Sequence, residues 1–357
     1  MKSYKILTIN PGSTSTKVAV FENDIELIST TLRHTSEEIG RYPTILSQLD
    51  FRRDVILKAI KAAGIELSEL DSVIGRGGML KPIPSGTYEV NAAMIDDIKQ
   101  RPTGQHASNL GALLAAEIAA MAGTKAYIAD PVVVDELQPV ARLTGLPQLP
   151  HHSIFHALNQ KAVARLYAER VGRRYEEMNL IVAHMGGGIS VGAHRRGEVV
   201  DVNNALDGEG PISPERSGTL PALALADMCF SGNYTREQIS KLINGKGGVV
   251  AHLGTNDMRE VERRASEGDK KAALVFDAMA YSVGKYVGQA AAVLHGKVDA
   301  IILTGGIAYS KTLCAYVKEM VGWIGEVIVM PGENELEALA MNAVRVLDGT
   351  LKAKTYK

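Results

Sequence analysis

Short runs of consecutive apolar residues alternate along this chain with longer stretches in which apolar positions recur every three or four residues. Residues 4–9, 180–185 and 300–304 read as buried strands, and the Ala-rich stretches between such runs carry helical spacing, so the pattern predicts an α/β fold. Near the start, KILTIN meets the turn PGSTST, continues into KVAVFE, turns at Asn23-Asp24 and enters IELIS. Halfway along, the same grammar returns as LIVAHM, GGGI, SVGAH, a turn at Arg196-Gly197, and EVVDV. LDSVIGRGG at 70–78 is echoed by VDAIILTGG at 298–306. The two echoes together predict an internal duplication, each half opening with a glycine-turned β-meander.

Pro131, Pro139, Pro147 and Pro150 punctuate the segment between the halves, a spacing that suits a crossing segment rather than a helix. The expected division is a first domain of residues 1–148 plus 336–357 and a second of 149–335. Two stretches, 109–123 and 278–294, are poor in large residues; they read either as close-packed core helices or as interface helices whose small residues let backbones slide.

Composition narrows the function classes. At 357 residues the chain exceeds what one core usually serves, which agrees with two domains and a cleft. A net charge of −1 gives no general attraction to nucleic acid or anionic membrane. Cys229 and Cys314 make neither a CxxC metal site nor a disulfide framework, as suits a reducing cytoplasm. The apolar run before Pro11 is too short for a leader core, and no run is long enough to span a bilayer, so a cytoplasmic protein is expected.

Candidate chemistry sits in the turns. Asn10, Ser13, Ser15 and Lys17 place small hydroxyls, a turn glycine and one cation directly after a strand, as a phosphate-wrapping backbone requires. The segment after Lys17 alternates like a strand, so this is neither a Walker loop nor a dinucleotide fingerprint. His184, Gly186, Gly187 and Gly188 form the corresponding turn of the second half, where glycine permits close approach of backbone to a ligand. Gly305, Gly306 and Ile307 follow a third apolar run.

INPGSTSTK, AHMGGGISVG, PERSGTLP, ILTGGIA and PGENELEALA, in this order, resemble the butyrate kinase branch of the acetate kinases, within the actin-like phosphotransferase superfamily. The resemblance implies two duplicated actin-like (ribonuclease H-like) domains flanking an ATP cleft. It implies ATP with Mg²⁺ and reversible phosphoryl transfer to a short-chain carboxylate, giving an acyl phosphate, in a homodimer or larger assembly. By the same resemblance Arg76 and Arg216 are the active-site arginines, His156 hydrogen-bonds the transferring phosphoryl, and Asp130 places the metal or holds an arginine. Asn10 and Glu335, with Glu333 as a substitute, complete the expected metal set. A carboxylate acceptor is already ionised at neutral pH, so no general base is needed and the task falls to positioned cations, for which a guanidinium is suited by its bidentate grip. Two departures bear on the substrate: HMGGG lacks a side-chain amide at Gly187, and Arg76 is followed by Gly77 and Gly78 in place of bulky residues. That predicts an enlarged acyl pocket, with Met79, Phe155 and Pro211 as lining, for four- and five-carbon acids. The alternatives are a branched-chain acid kinase acting on isobutyrate or isovalerate and, from another class, a non-catalytic nucleotide-gated clamp of the Hsp70 kind.

Overall fold

The structure, a computed structural model, describes residues 2–100 and 107–357. The chain forms two compact units, Met1–Val134 with Asn334–Lys357, and Asp135–Glu333. The first unit opens with the meander β1 (Lys5–Pro11), β2 (Ser15–Glu22) and β3 (Ile25–Arg33), followed by α1 (Ser36–Gly40) and α2 (Leu49–Ala62). Strands β4 (Ser72–Arg76) and β5 (Thr87–Glu89), helices α3 (Ala92–Gln100) and α4 (Asn109–Ala122), and strand β6 (Lys125–Ala129) complete this part.

The second unit runs α5 (Ala157–Arg170), then the meander β7 (Asn179–Met185), β8 (Ile189–Arg195) and β9 (Glu198–Val202). Four helices, α6 (Ala222–Phe230), α7 (Arg236–Ile243), α8 (Val249–Leu253) and α9 (Met258–Ser266), lead to the long α10 (Lys270–Val293). Strand β10 (Ala300–Gly305), α11 (Lys311–Val321) and β11 (Val327–Pro331) end it, and the chain returns to the first unit as α12 (Glu335–Leu347) and β12 (Lys354–Thr355).

The expected duplication is present in the strand order. The first sheet runs β12-β5-β6-β4-β1-β2-β3 and the second β11-β10-β7-β8-β9, so β6-β4-β1-β2-β3 has its counterpart in the whole second sheet. In both, the meander is antiparallel and the inner strands are parallel to the first. Both carry a bulge between the second and third strands, at Val20/Phe21 and at Ala193/His194. The apolar runs are continuous because β1, β7 and β10 are covered on both faces. On β7, Ile181, Ala183 and Met185 join the core under α10, while Leu180 and Val182 join the one under α5.

Both domain boundaries differ from the expected ones. The first crossing falls at Val134, before the proline-spaced segment, because Asp135 onward is already tied into the second unit: Lys161 Nζ donates to Glu136 Oε2 at 2.6 Å and Gln138 N to Val200 O at 3.0 Å. The second falls at Glu333, so Glu335 belongs to the first unit rather than the second. The small residues of 109–123 serve close packing: a β-carbon on Gly111 would lie 2.1 Å from the Arg76 carbonyl oxygen, and one on Gly75 would lie 2.0 Å from the Gly111 carbonyl oxygen. Helix α10 is likewise a core helix, burying Ala272, Val275, Phe276, Met279 and Val283 at three- and four-residue spacing.

Candidate active site

In the first unit the parallel strands β1, β4 and β6 end at one edge of the sheet, in the register Ile9–Gly75–Ile128 with Arg76 beside Ala129. Asn10, Arg76 and Asp130 therefore follow one another across three strand ends, the side of an open α/β sheet where ligands bind. Asn10 also faces Lys17 across the β1–β2 hairpin. Glu335 opens α12 after Asn334, which adopts a left-handed conformation at φ 38° and aims the helix start at this edge. The Glu335 carboxylate accepts from Asn10 Nδ2 at 2.5 Å and from Arg76 Nη1 at 3.2 Å. Asn10, Arg76 and Glu335 thus form one cluster.

Asp130 stands apart from that cluster in its bonding. It is buried, its own φ is 38°, and its Oδ1 accepts from Ser85 Oγ at 2.6 Å and Gly86 N at 2.8 Å. The expected metal set of Asn10, Asp130 and Glu335 is not a closed cage: among the described residues no three His, Cys, Asp or Glu side chains converge on one point. Two carboxylates at one strand edge do fit a hard ion that keeps waters and takes its remaining ligands from phosphate, which is magnesium's habit.

The turn bearing Ser13 and Ser15 has an anchor that the sequence reading missed. Arg52 on α2 is fully buried, and its guanidinium donates to the carbonyl oxygens of Gly12 at 2.8 Å, Ser13 at 3.1 Å and Ser15 at 3.1 Å, and to Thr16 Oγ1 at 3.1 Å. Gln48 Oε1 orients the same group, and His34 N donates to the Thr14 carbonyl. With the carbonyls of residues 12–15 engaged, the backbone N–H groups of the exposed Ser13 and Thr14 donate to no protein partner among the described residues, the polarity an anion requires. Burial depresses the Arg52 pKa, yet no carboxylate pairs with it among the described residues. The signal was available: Arg52 lies on the apolar stripe of α2 with Ile56 and Ile60.

In the second unit β7, β10 and β11 end at the corresponding edge, with Thr304 beside His184 and Gly305 beside Pro331. The three glycines after Met185 fold tightly, Gly186 N donating to Gly188 O at 3.1 Å. Gly187 O accepts from Ser213 Oγ at 2.8 Å and Glu215 N at 3.2 Å. Gly305, at φ 87°, exchanges backbone bonds with Gly332 at 3.1 Å, and a β-carbon there would meet the Met185 carbonyl oxygen at 2.3 Å. Gly186, Gly187, Gly306 and Ile307 line a cavity of about 730 Å³ with Glu215, Asn256, Tyr309 and Glu333, a volume suited to a nucleotide.

Arg216 lies under this turn. Its Nη1 donates to the Ala205 carbonyl at 2.6 Å and its Nε to Asn244 Oδ1 at 3.2 Å. Burial lowers its pKa, with Glu215 acting the other way, and no carboxylate ion-pairs with it among the described residues. His156 caps α5 and stacks on His184, ring centroids 3.9 Å apart and planes 14° from parallel. Its Nδ1 lies 2.8 Å from Ser190 Oγ, and His184 Nδ1 lies 2.7 Å from Asn159 Oδ1. Asn159, Gln160 and Ser190 were not legible as site residues, being buried polar positions whose partners lie elsewhere in the sequence.

One substrate expectation is corrected. Gly77 and Gly78 do not open space for an acyl chain: a β-carbon on Gly77 would lie 2.6 Å from Pro131 Cβ, and one on Gly78 2.3 Å from Asn109 Oδ1. Pro131 and Ile128 at Gly77, and the backbone and side chain of Asn109 at Gly78, already fill the volume.

The fold is shared with solved kinases. The acetate kinase of Porphyromonas gingivalis superposes with a TM-score of 0.80 at 21% identity, covering 98% of this chain and 100% of that one. The propionate kinase of Francisella tularensis gives 0.76 at 19% identity, covering 95% and 98%. Both mark the two units as a pair of actin-like α/β domains. The acetokinase family profile matches residues 151–330, and "Butyrate kinase 2" of Clostridium acetobutylicum is 56% identical over 354 residues, 99% of each chain. This chain belongs to the acetokinase family.

Proposed function

We propose that this protein is a butyrate kinase, catalysing reversible phosphoryl transfer between ATP and butyrate. The observation that carries the substrate is the full-length 56% identity to butyrate kinase 2, against about a fifth for the acetate and propionate kinases. Neither the branched-chain acid kinase nor the nucleotide-gated clamp draws support from these relatives.

A butyrate oxygen attacks the γ-phosphorus in line, the bond from that phosphorus to the β–γ bridging oxygen breaks, and ADP departs with the electron pair. The acceptor enters ionised, so the protein's work is to bring two anions together and hold them. Arg76 and Arg216 supply the guanidinium groups for carboxylate and equatorial phosphoryl oxygens, and Lys17 with the Ser13 and Thr14 amides binds phosphate. Asn10, His184 and the glycines at 186–188 and 305–306 hold the nucleotide's phosphates, Ile307 lies against the nucleotide, and His156 donates to the transferring group. Magnesium bound with the nucleotide would neutralise its phosphate charge, with Asp130 and Glu335 as its oxygen donors.

We read the working form as a cytoplasmic homo-oligomer. Helix α6, ALALADMCF, buries none of its residues, and Leu223 and Phe230 are 83% and 91% exposed, an apolar face that a second copy would cover. The reverse reaction tests the activity: butyryl phosphate and ADP should yield ATP, and absence of ATP with active, folded protein would remove the reading.

A further inference from the structure

Behind His156 a chain of buried polar groups runs along the α5 face of the second sheet. Ser190 Oγ is 2.8 Å from His156 Nδ1; Gln160 Nε2 donates to Ser190 O at 3.0 Å and to Ser190 Oγ at 2.9 Å; His194 Nε2 is 3.0 Å from Gln160 Oε1; and Tyr175 Oη is 2.7 Å from His194 Nδ1. Ser190, Gln160 and His194 are fully buried. An unmade hydrogen bond here would cost the whole desolvation of its group, so each proton has to sit where it is used.

The positions can be solved in order. The Ser190 carbonyl only accepts, which fixes the Gln160 amide with its nitrogen towards Ser190 and its oxygen towards His194. That oxygen only accepts, so His194 carries its proton on Nε2, and its Nδ1 lone pair takes the Tyr175 hydroxyl proton. Ser190 Oγ already accepts from Gln160, and among the described residues the only acceptor for its own proton is His156 Nδ1. The His156 proton then resides on Nε2.

We propose that Tyr175, His194, Gln160 and Ser190 form a proton-ordered relay that fixes His156 as a neutral Nε2–H donor for the transferring phosphoryl group. The relay rests on the reading that His156 serves that group; its members touch no substrate and are positioning residues. An imidazolium at His156 would point Nδ1–H at Ser190 Oγ and strand the serine proton. Burial, with Lys161 and Arg165 nearby, pushes His194 well below its ordinary value, which keeps the relay's central ring neutral. His184 differs: Asn159 Nδ2 donates to the Glu333 carbonyl at 3.0 Å, so Asn159 Oδ1 accepts from His184 Nδ1–H. The stacked rings thus differ at Nδ1, which accepts in His156 and donates in His184.

The test is long-range proton–nitrogen correlation of histidine imidazoles in full-length ¹⁵N-histidine protein, read beside kinetics. Wild type should show His156 protonated on Nε2. Ser190→Ala should admit the Nδ1–H form and lower kcat roughly 10- to 100-fold with KM for ATP little changed. Gln160→Glu, which keeps the shape but offers Ser190 an acceptor, should turn His156 to Nδ1–H. A wild-type Nδ1–H ring, or an unchanged tautomer in both variants, would overturn the relay. His156→Ala separates the two ideas: full turnover there would remove His156 from the chemistry whatever its tautomer.

Discussion

Gly188 and Arg216 share one volume: a β-carbon on the glycine would lie 1.8 Å from Arg216 Nη1. The glycine of this turn is therefore the seat of a guanidinium.

Gly188 has no left-handed backbone, so Gly188→Ala adds no strain of its own and acts by displacing the arginine. It should lower kcat by about 10² to 10³, matching Arg216→Ala, with the double variant no worse than either single one. Steady-state kinetics of the three proteins checks this; additive losses would mean the two positions act separately.

Arg52 should matter to phosphate binding without touching substrate. Gln48→Glu gives the buried guanidinium a carboxylate partner and cancels the positive field behind the Ser13 turn. KM for ATP should rise several-fold while the melting temperature holds or rises. Arg52→Met, which takes the donor from the Gly12 and Ser13 carbonyls and leaves Ser15 O only Gly12 N, should instead destabilise by ~2 kcal/mol. An unchanged KM in Gln48→Glu would reduce Arg52 to a structural clamp.

The depressed His194 sets a pH signature. Between its ordinary value of 6.5 and its lower value in the folded state, the unfolded chain binds a proton that the folded chain refuses. This contribution is fully present above about 6.5 and is lost as pH falls. Urea midpoints at pH 7.5 and 5 should fall further for wild type than for His194→Gln, since other titrating groups act equally in both. Equal falls would contradict it.

Charges on α6 test the assembly. Leu223→Glu with Phe230→Glu should convert a wild-type oligomer to the 38.3 kDa chain in sedimentation, leaving the fold intact because neither side chain is buried. A wild type already sedimenting as the single chain would dispose of the α6 interface.

Much of this was legible in the sequence, and the gaps have physical causes. The meanders at Asn10 and Gly186 showed themselves because strands covered on both faces are continuous apolar runs and their turns need glycine or a left-handed Asn23 or Arg196. Glu335 was legible as a residue but not as a member of the first unit, since only the fold reveals that α12 returns to β1 and brings the carboxylate to Asn10. Gly77 and Gly78 misled because a glycine that yields room to a neighbouring residue looks, in one dimension, like one that yields it to a ligand. Arg52, Gln160 and Ser190 were silent because a buried polar residue declares its role through partners distant in sequence. Asp130 was expected at a metal, and its bonds to Ser85 and Gly86 show that it also secures a turn.

The proposed activity is transfer of the γ-phosphoryl group from ATP to a short-chain carboxylate, with butyrate preferred. Its most direct measurement is acyl hydroxamate formation by the purified protein from ATP, magnesium, hydroxylamine and each acid from acetate to valerate, with isobutyrate and isovalerate included. Hydroxamate should form with the highest kcat/KM for butyrate and with neighbours within about 10- to 200-fold per methylene. Hydroxamate from none of the acids, or a clear preference for acetate, would contradict it.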